Sequence, residues 1–232
     1  MYRNFYFYMN YHIITLFPQA FDSYLGESIL KRAIEDKKIK VTFYNPRDYT
    51  NGTSYADRRV DDRPYGGGPG MVIEALPVIK AIDKAVGKKL KAVKKKSKVK
   101  IIFFSPAGKA CDTTYVKSLA QKYTDIVFVC GRYEGIDARV KKAFKMEDVS
   151  VGPFVLTGGE LPAMLLIDTI SRQIEGVLGD INSLEESRIS ANDVYTRPET
   201  IEFKGKKYRV PKVLLSGNHA EIEKWKMGRK ML

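Results

Sequence analysis

Three short segments that contain glycine follow apolar stretches of this 232-residue chain, and they are its first candidates for binding chemistry. They are S-P-A-G (105–108), G-R-Y-E-G (131–135) and S-V-G-P-F-V-L-T-G-G-E-L-P (150–162). None of them matches G-x-G-x-x-G or G-x-x-x-x-G-K-[ST], so the common nucleotide-binding loops are not indicated. Glycine still lets backbone N–H and C=O groups approach a ligand closely. Three such loops at one sheet edge would build a small-molecule pocket, and three ordinary turns are the alternative.

Alternating apolar strands and amphipathic helices must position these loops. The predicted strands are 12–17, 41–44, 99–104, 125–130 and 149–151; the predicted helices are 71–86, 113–123, 160–174 and 220–225, with a further helix carrying Phe21, Leu25, Ile29 and Ala33. This alternation predicts an α/β fold in which helices cover both faces of a parallel sheet. The polar stretch 45–70 is too rich in Gly, Pro and charge for a core, and a loop of this length is usually either functional or disordered.

The charge balance points to a polyanionic partner. The formal net charge is +13, and part of the excess lies in the lysine run 88–100. Nucleic acid is the first candidate and a membrane surface the second, while a generally lysine-rich proteome is the alternative.

The remaining composition excludes several classes. Cys111 and Cys130 form no metal-binding pattern and do not argue for an oxidising compartment. The aromatic start 1–10 is too short and too broken for a signal peptide or a membrane span, and we expect Met9 to be the natural initiator.

A series of motifs, in order along the chain, resembles one protein family. The motifs are P-R-D-Y-T (46–50), V-D-D-R-P-Y-G-G-G-P-G-M (60–71), S-P-A-G (105–108), V-C-G-R-Y-E-G (129–135), L-T-G-G-E-L-P-A-M (156–164), Y-T-R-P-E (195–199) and V-L-L-S-G-N-H-A-E-I (213–222). Together they resemble the bacterial tRNA (guanine-N1)-methyltransferase family TrmD, of the SPOUT methyltransferase class, from about Met9 onward.

The resemblance implies an architecture and a cofactor, S-adenosylmethionine. Residues 1–8 would be an N-terminal extension, 9–175 a SPOUT cofactor-binding domain with a deep trefoil knot, 176–194 a mobile interdomain loop, and 195–232 a short, mostly helical tRNA-binding domain. By motif match, the residues that bind the cofactor would be Phe104, Ser105, Pro106, Gly131, Tyr133, Glu134, Val151, Gly152, Pro153, Phe154, Val155, Leu156, Gly158, Gly159 and Pro162.

The implied reaction transfers a methyl group from S-adenosylmethionine to N1 of guanosine 37 of tRNA, beside the anticodon. The sulfonium methyl group is already activated, but guanine N1 carries a proton and needs a general base. Negative charge that develops on O6 is stabilised by a cationic donor. The resemblance gives Glu186 the place of the base, with Glu185 as fallback, and Arg172 the place of the donor. A solvated loop charge for Glu186, and an i,i+4 pair with Asp168 for Arg172, are the alternatives.

The resemblance further implies tRNA as partner, a homodimer with composite active sites, a cytoplasmic location and no membrane contact. It implies a magnesium requirement, with Glu134 as one candidate for the surroundings of the ion, although no ligand cluster is visible; a helix-terminal Glu is the alternative. The residues implied to bind the substrate are Asp62, Arg63, Gly66, Gly67, Gly68, Ser183, Arg197, Asn218 and His219. His12, on an apolar strand, is expected to be structural.

The chain departs from the family pattern at three places. Glu186 stands where the family has Asp, Asp193 and Val194 precede Tyr195 where members often read Pro-His, and the chain ends soon after Trp225. Two alternatives therefore stay open: a SPOUT methylase for another RNA, and a catalytically idle RNA-binding relative.

Overall fold

A computed structural model describes residues 9–54, 56–91, 98–179 and 193–228. The chain divides into two compact units, Met1–Leu178 and Gly179–Leu232. In order, the first unit contains β1 (Met9–Ile14), α1 (Asp22–Leu25), α2 (Ser28–Glu35), β2 (Ile39–Tyr44), β3 (Asp61–Asp62), β4 (Val72–Ile73), α3 (Ala75–Lys91), β5 (Val99–Ala110), α4 (Thr113–Lys122), β6 (Asp125–Val129), α5 (Arg139–Ala143), β7 (Glu147–Ser150) and α6 (Glu160–Ser171).

The centre of the first unit is a five-stranded sheet with the order β2-β1-β6-β5-β7. Every pairing in it is parallel. Its strands are short apolar runs, as expected for a parallel sheet that is buried on both faces. In β6, Ile126 and Phe128 face one buried cluster, whereas Val127 and Val129 face a second one. The predicted α/β class with a parallel sheet is therefore confirmed.

Helices pack against both faces of the sheet and complete each buried cluster. Leu166 and Ile170 of α6 pack in the first cluster, and Val78 and Ile82 of α3 pack in the second. Because the sheet is covered on both faces, its ligand-accessible parts are its strand ends and the loops that follow them.

The prediction of one helix through Phe21, Leu25, Ile29 and Ala33 is wrong. The chain is instead interrupted at Gly26, which ends α1, and α2 starts at Ser28 with a φ of +51°. After the interruption Leu30 is buried and Ile29 is exposed, whereas Phe21, Leu25 and Ala33 are buried.

Three other elements differ from prediction. β1 starts at Met9 and ends at Ile14, rather than spanning 12–17. β5 continues to Ala110, and its pairing with β7 shifts register between Phe104 and Lys109, so the predicted S-P-A-G loop lies within an irregular strand. The helix predicted from residue 71 begins at Ala75, after the short strand β4.

The second unit contains β8 (Thr200–Phe203), β9 (Lys206–Arg209), α7 (Lys212–Leu215) and α8 (His219–Met227). β8 and β9 form an antiparallel hairpin whose two turn residues, Lys204 and Gly205, have φ values of +52° and +72°. The prediction of a mostly helical domain did not include this hairpin. Within 193–228, no described residue is buried.

No helix among the described residues combines the length and the apolar character that crossing a membrane requires.

Candidate active site

A pocket of about 260 Å³ opens beside the irregular part of β5 and beyond the ends of β6 and β7. Three segments line it, 103–106, 131–135 and 149–159, together with Pro162 of α6. These are the three segments whose composition predicted a shared pocket. The structure therefore brings the three segments together, and the binding of a small molecule by them stays a prediction.

The loop after β7 returns across the end of β5 to reach β6. β7 pairs with β5 and not with β6, yet the Gly159 N–H donates a hydrogen bond of 3.0 Å to the Gly131 carbonyl. A β-bridge between Arg132 and Gly158 continues this contact. A Cβ atom at Gly159 would lie 2.6 Å from the Cα of Cys130, so only glycine fits at this crossing.

The pocket wall contains an ion pair that the sequence analysis missed. Arg132 Nε lies 2.9 Å from Glu160 Oε2, and the Glu160 side chain is only 4% exposed. Thr15 Oγ1 donates a hydrogen bond of 2.7 Å to Glu160 Oε1. Arg132 lies inside the quoted G-R-Y-E-G motif, but its partner is distant in sequence and no local pattern indicates the pair.

The segment 62–70, which contains the predicted substrate residues Asp62, Arg63, Gly66, Gly67 and Gly68, does not line the pocket but adjoins it. The Glu134 N–H donates a hydrogen bond of 3.1 Å to the Met71 carbonyl, and the Ile73 N–H donates one of 3.0 Å to the Gly135 carbonyl. A Cβ atom at Gly70 would lie 2.6 Å from Glu134 Oε1.

The thiols near the site are unsuited to nucleophilic chemistry. Burial, followed by the nearby Glu160 carboxylate, raises the pKa of Cys130 well above its ordinary value. Burial also raises the pKa of Cys111. Both thiols therefore stay protonated near neutral pH and are poor nucleophiles.

His12 lies in a buried network outside the pocket. Its Nε2 is 3.1 Å from Asp125 Oδ1 and its Nδ1 is 3.3 Å from the Tyr44 hydroxyl. These contacts support the structural role expected for it.

The predicted cofactor residues, except Pro153, all line the pocket. Pro153 is exposed between two lining residues. The predicted general base Glu186, its fallback Glu185 and Ser183 lie outside the described residues. Arg197, Asn218 and His219 belong to the second unit. There, Asn218 Oδ1 accepts a hydrogen bond of 3.3 Å from the Glu221 N–H and caps α8.

Arg172 is not part of the pocket of its own chain. It follows the last residue of α6, whereas the pocket lies at the first residues of that helix. With a rise of 1.5 Å per residue, the two ends are about 18 Å apart. Asp168, its partner in the alternative interpretation, accepts a hydrogen bond from the Tyr24 hydroxyl.

No group of three or more His, Cys, Asp or Glu side chains is placed to hold a metal ion among the residues that the structure describes. Mg²⁺ is usually held by only one or two carboxylates together with water, so a role of Glu134 near such an ion stays a prediction.

The fold and the pocket define an α/β protein whose pocket lies where ligands bind in parallel sheets, toward the carboxyl ends of the strands. A family model described as tRNA (Guanine-1)-methyltransferase TrmD matches residues 9–232, and the chain belongs to this family. The predicted family is therefore confirmed, and with it the enzyme class of tRNA (guanine-N1)-methyltransferases.

Individual relatives agree. A tRNA (guanine-N(1)-)-methyltransferase of Clostridioides difficile (strain 630) is 42% identical over 94% of this chain and 90% of its own length. A relative of the same name from Caldanaerobacter subterraneus subsp. tengcongensis is 45% identical over 94% of this chain and 85% of its own length. The crystal structure of tRNA (m1G37) methyltransferase from Aquifex aeolicus superimposes with a TM-score of 0.73 at 35% identity, covering 95% of this chain and 88% of that one.

Proposed function

We propose that this enzyme methylates N1 of guanosine 37 of tRNA with S-adenosylmethionine as donor. The observation that carries the proposal is the pocket made by three strand-end loops in a chain of the TrmD family. The names of the relatives favour this substrate over another RNA. We also propose a cytoplasmic location, where tRNA is found.

The pocket suits the donor. Aromatic rings of Phe103, Phe104 and Tyr133 offer contact area for a purine, and the backbone groups of 131–135 and 151–159 offer hydrogen bonds to its edge. Glu134 is a carboxylate at the rim for the ammonium group of the donor. When bound, S-adenosylmethionine supplies a methyl group activated by the adjacent sulfonium.

The protein's chemical task is then to remove the proton of guanine N1. We assign this task to Glu186, which would accept the proton as N1 bonds to the methyl carbon and the sulfur–methyl bond breaks. Arg172 would donate a hydrogen bond to O6, where charge accumulates in the transition state. The products are the N1-methylated guanosine and neutral S-adenosylhomocysteine.

Two copies of the chain are needed for this assignment. Since Arg172 lies about 18 Å from the pocket end of α6, it can serve only the pocket of another copy. Leu161 and Leu165, one turn apart on α6, are 57% and 41% exposed and would supply an apolar contact for that copy. The second unit, with no buried described residue, would also gain cover from a partner. We therefore propose a C₂ homodimer with two composite sites.

Mixed dimers test this arrangement. Arg172→Ala and a pocket variant, Glu134→Ala, should each have little activity alone. A mixture of the two should recover up to about one quarter of wild-type activity, because random reassociation of a C₂ dimer yields one intact composite site in half of the dimers. No recovery after verified subunit exchange would contradict composite sites.

We also propose that the backbone is knotted in this region. The return of 156–159 to the end of β6, past the intervening β5, supports threading of the chain there. Segment 62–70 and the second unit would carry the tRNA contacts, helped by the net charge of +13. The magnesium requirement that the family resemblance implies stays a prediction.

Single-turnover methylation of an unmodified tRNA transcript tests the function. We expect methyl transfer to a transcript with guanosine 37 and none when adenosine replaces it. Transfer that persists after the replacement would indicate another target nucleotide. Tight binding of tRNA without transfer would indicate an idle relative.

A further inference from the structure

Two opposite charges line the pocket among the described residues. Arg132 contributes a guanidinium and Glu134 a carboxylate. A sulfonium ligand would add a second positive charge to the pocket that Arg132 lines, and like charges in a protein pocket repel unless they are compensated. A pocket for a sulfonium must therefore neutralise Arg132.

Glu160 is placed to do so. It is the first residue of α6 and is 3% exposed, so its carboxylate is shielded from water. Its Oε2 meets Arg132 Nε at 2.9 Å without the alignment of a hydrogen bond, which makes the contact chiefly an ion pair. Thr15 Oγ1 holds the other oxygen, Oε1, at 2.7 Å.

The remaining contacts of Arg132 keep its guanidinium against the wall. Its Nη1 donates a hydrogen bond of 3.3 Å to the Thr157 carbonyl. Its guanidinium carbon lies 4.8 Å above the centroid of the Phe17 ring. Burial of the Glu160 carboxylate alone would be costly, but here the charge is paired with Arg132. The same contacts join the segment after β1, the segment 131–135 and the segment 149–159.

Gly158 leaves room for the ion pair. A Cβ atom there would lie 2.4 Å from Arg132 Nε and 2.6 Å from Glu160 Oε2. Any side chain at 158 would push these two groups apart.

We infer that Glu160 is a specificity-determining residue of the pocket: by compensating Arg132, it lets the wall accept the sulfonium of the methyl donor in preference to the neutral thioether of the product. The inference rests on the proposed function, because it takes S-adenosylmethionine as the ligand. S-adenosylmethionine and S-adenosylhomocysteine differ only by the methyl group and by the positive charge of the sulfur that carries it. Loss of the Glu160 charge would therefore penalise the first ligand and spare the second.

Calorimetric titration of both ligands, without tRNA, tests the inference. For Glu160→Gln we expect the ratio of Kd for S-adenosylmethionine to Kd for S-adenosylhomocysteine to rise on the order of tenfold, as for one uncompensated charge nearby. Arg132→Met should shift the ratio in the opposite direction. The double variant should return it to near the wild-type value.

Asp148→Asn is the matched control. It removes the carboxylate of a surface ion pair with Lys141 outside the pocket lining, and the ratio should not change. Glutamine at 160 keeps an oxygen for the Thr15 hydroxyl, and thermal melts would verify folding. If Glu160→Gln does not fold, the opposite shift in Arg132→Met is the test, and an unchanged ratio there would overturn the inference.

The outcomes separate this inference from the proposed function. A wild-type protein that binds neither ligand would overturn both. A wild-type protein that binds both ligands, with equal weakening of the two in Glu160→Gln, would leave the proposed function intact and reduce Glu160 to a structural role.

Discussion

Two glycine-rich segments of this enzyme, 152–159 and 66–70, use the same residue for different physical reasons. In the first, Gly159 has an ordinary φ of −84° but lies against backbone atoms of Cys130. In the second, Gly66, Gly67 and Gly68 have φ values of +86°, +79° and +111° and have no atom within 4 Å of the position of a Cβ. The pocket needs glycine for space, and the loop needs it for backbone conformation.

This difference separates the demands of the two ligands. The pocket encloses a small molecule, so its walls are held by close packing and buried contacts. The loop presents polar groups and the fully exposed Tyr65 to the outside, as a surface for a macromolecule would. Substitutions that add one methyl group should therefore have unequal effects in the two segments.

Gly159→Ala should have the largest effect. Its new Cβ would lie 2.6 Å from a backbone atom that cannot move aside without opening the strand end. We expect loss of S-adenosylmethionine binding by more than about a hundredfold, or loss of folding, because overpacking of a tight site costs about 1–3 kcal/mol or more. Calorimetry and thermal melts would measure both.

Gly131→Ala is the control for this prediction. A Cβ there would meet its nearest neighbour, the Phe103 ring, at 3.6 Å, which is an ordinary contact. Comparable losses at 131 and 159 would show that crowding is not what requires glycine at 159.

Gly158→Ala should have an intermediate effect. The atoms that a Cβ would meet belong to the Arg132 and Glu160 side chains, which can shift more easily than backbone. We expect a several-fold weaker affinity for S-adenosylmethionine and a protein that still folds. Wild-type affinity in Gly158→Ala would show that crowding of the Arg132–Glu160 ion pair does not affect ligand binding in the pocket.

Parts of this comparison could be predicted from sequence and others could not. The strands at 99–104 and 125–130 were recognisable because they are short continuous apolar runs, and the glycines after them located the pocket. The interruption at Gly26 was missed because Phe21, Leu25, Ile29 and Ala33 fit a helical period by coincidence. The Arg132–Glu160 pair was also missed, because a contact between distant residues leaves no local pattern.

The assignment of roles depended on the family resemblance rather than on periodicity. Nothing in the spacing of Arg172 indicates a cation for O6, and within its own chain it lies away from the pocket. The β8–β9 hairpin had a local signal, the dipeptide Lys204-Gly205 between two alternating stretches, but lysine is an uncommon residue at the first turn position.

Gly67→Ala should have a smaller effect of a different kind. Alanine at φ +79° is strained, and we expect a loss of about 1 kcal/mol in the free energy of unfolding. The Kd for S-adenosylmethionine should stay at the wild-type value, while KM for tRNA should rise. Gly67→Asn is the control, since asparagine tolerates positive φ better and should be milder. A change in cofactor affinity would break the proposed separation of the two segments.

Asp137→Asn should have the smallest effect, at the base of the open loop. Asp137 donates its N–H to the Ile73 carbonyl at 2.9 Å, and its carboxylate accepts hydrogen bonds from the Arg139 guanidinium, the shortest being 2.6 Å. These bonds hold the pKa of Asp137 below its ordinary value near 3.8. Because the pair is exposed, we expect it to contribute less than about 1 kcal/mol and to weaken in salt.

The sign of the pH dependence follows from the lowered pKa. The stabilisation is complete above the ordinary pKa and is lost as the pH falls through the lower folded value. The difference in Tm between wild type and Asp137→Asn should therefore be present at neutral pH. It should begin to shrink below about pH 3.8 and disappear only below the folded pKa of Asp137. A difference that persisted in acid and in high salt would mean that the base of the loop is held by packing, like the pocket wall, and the contrast between the two segments would no longer hold.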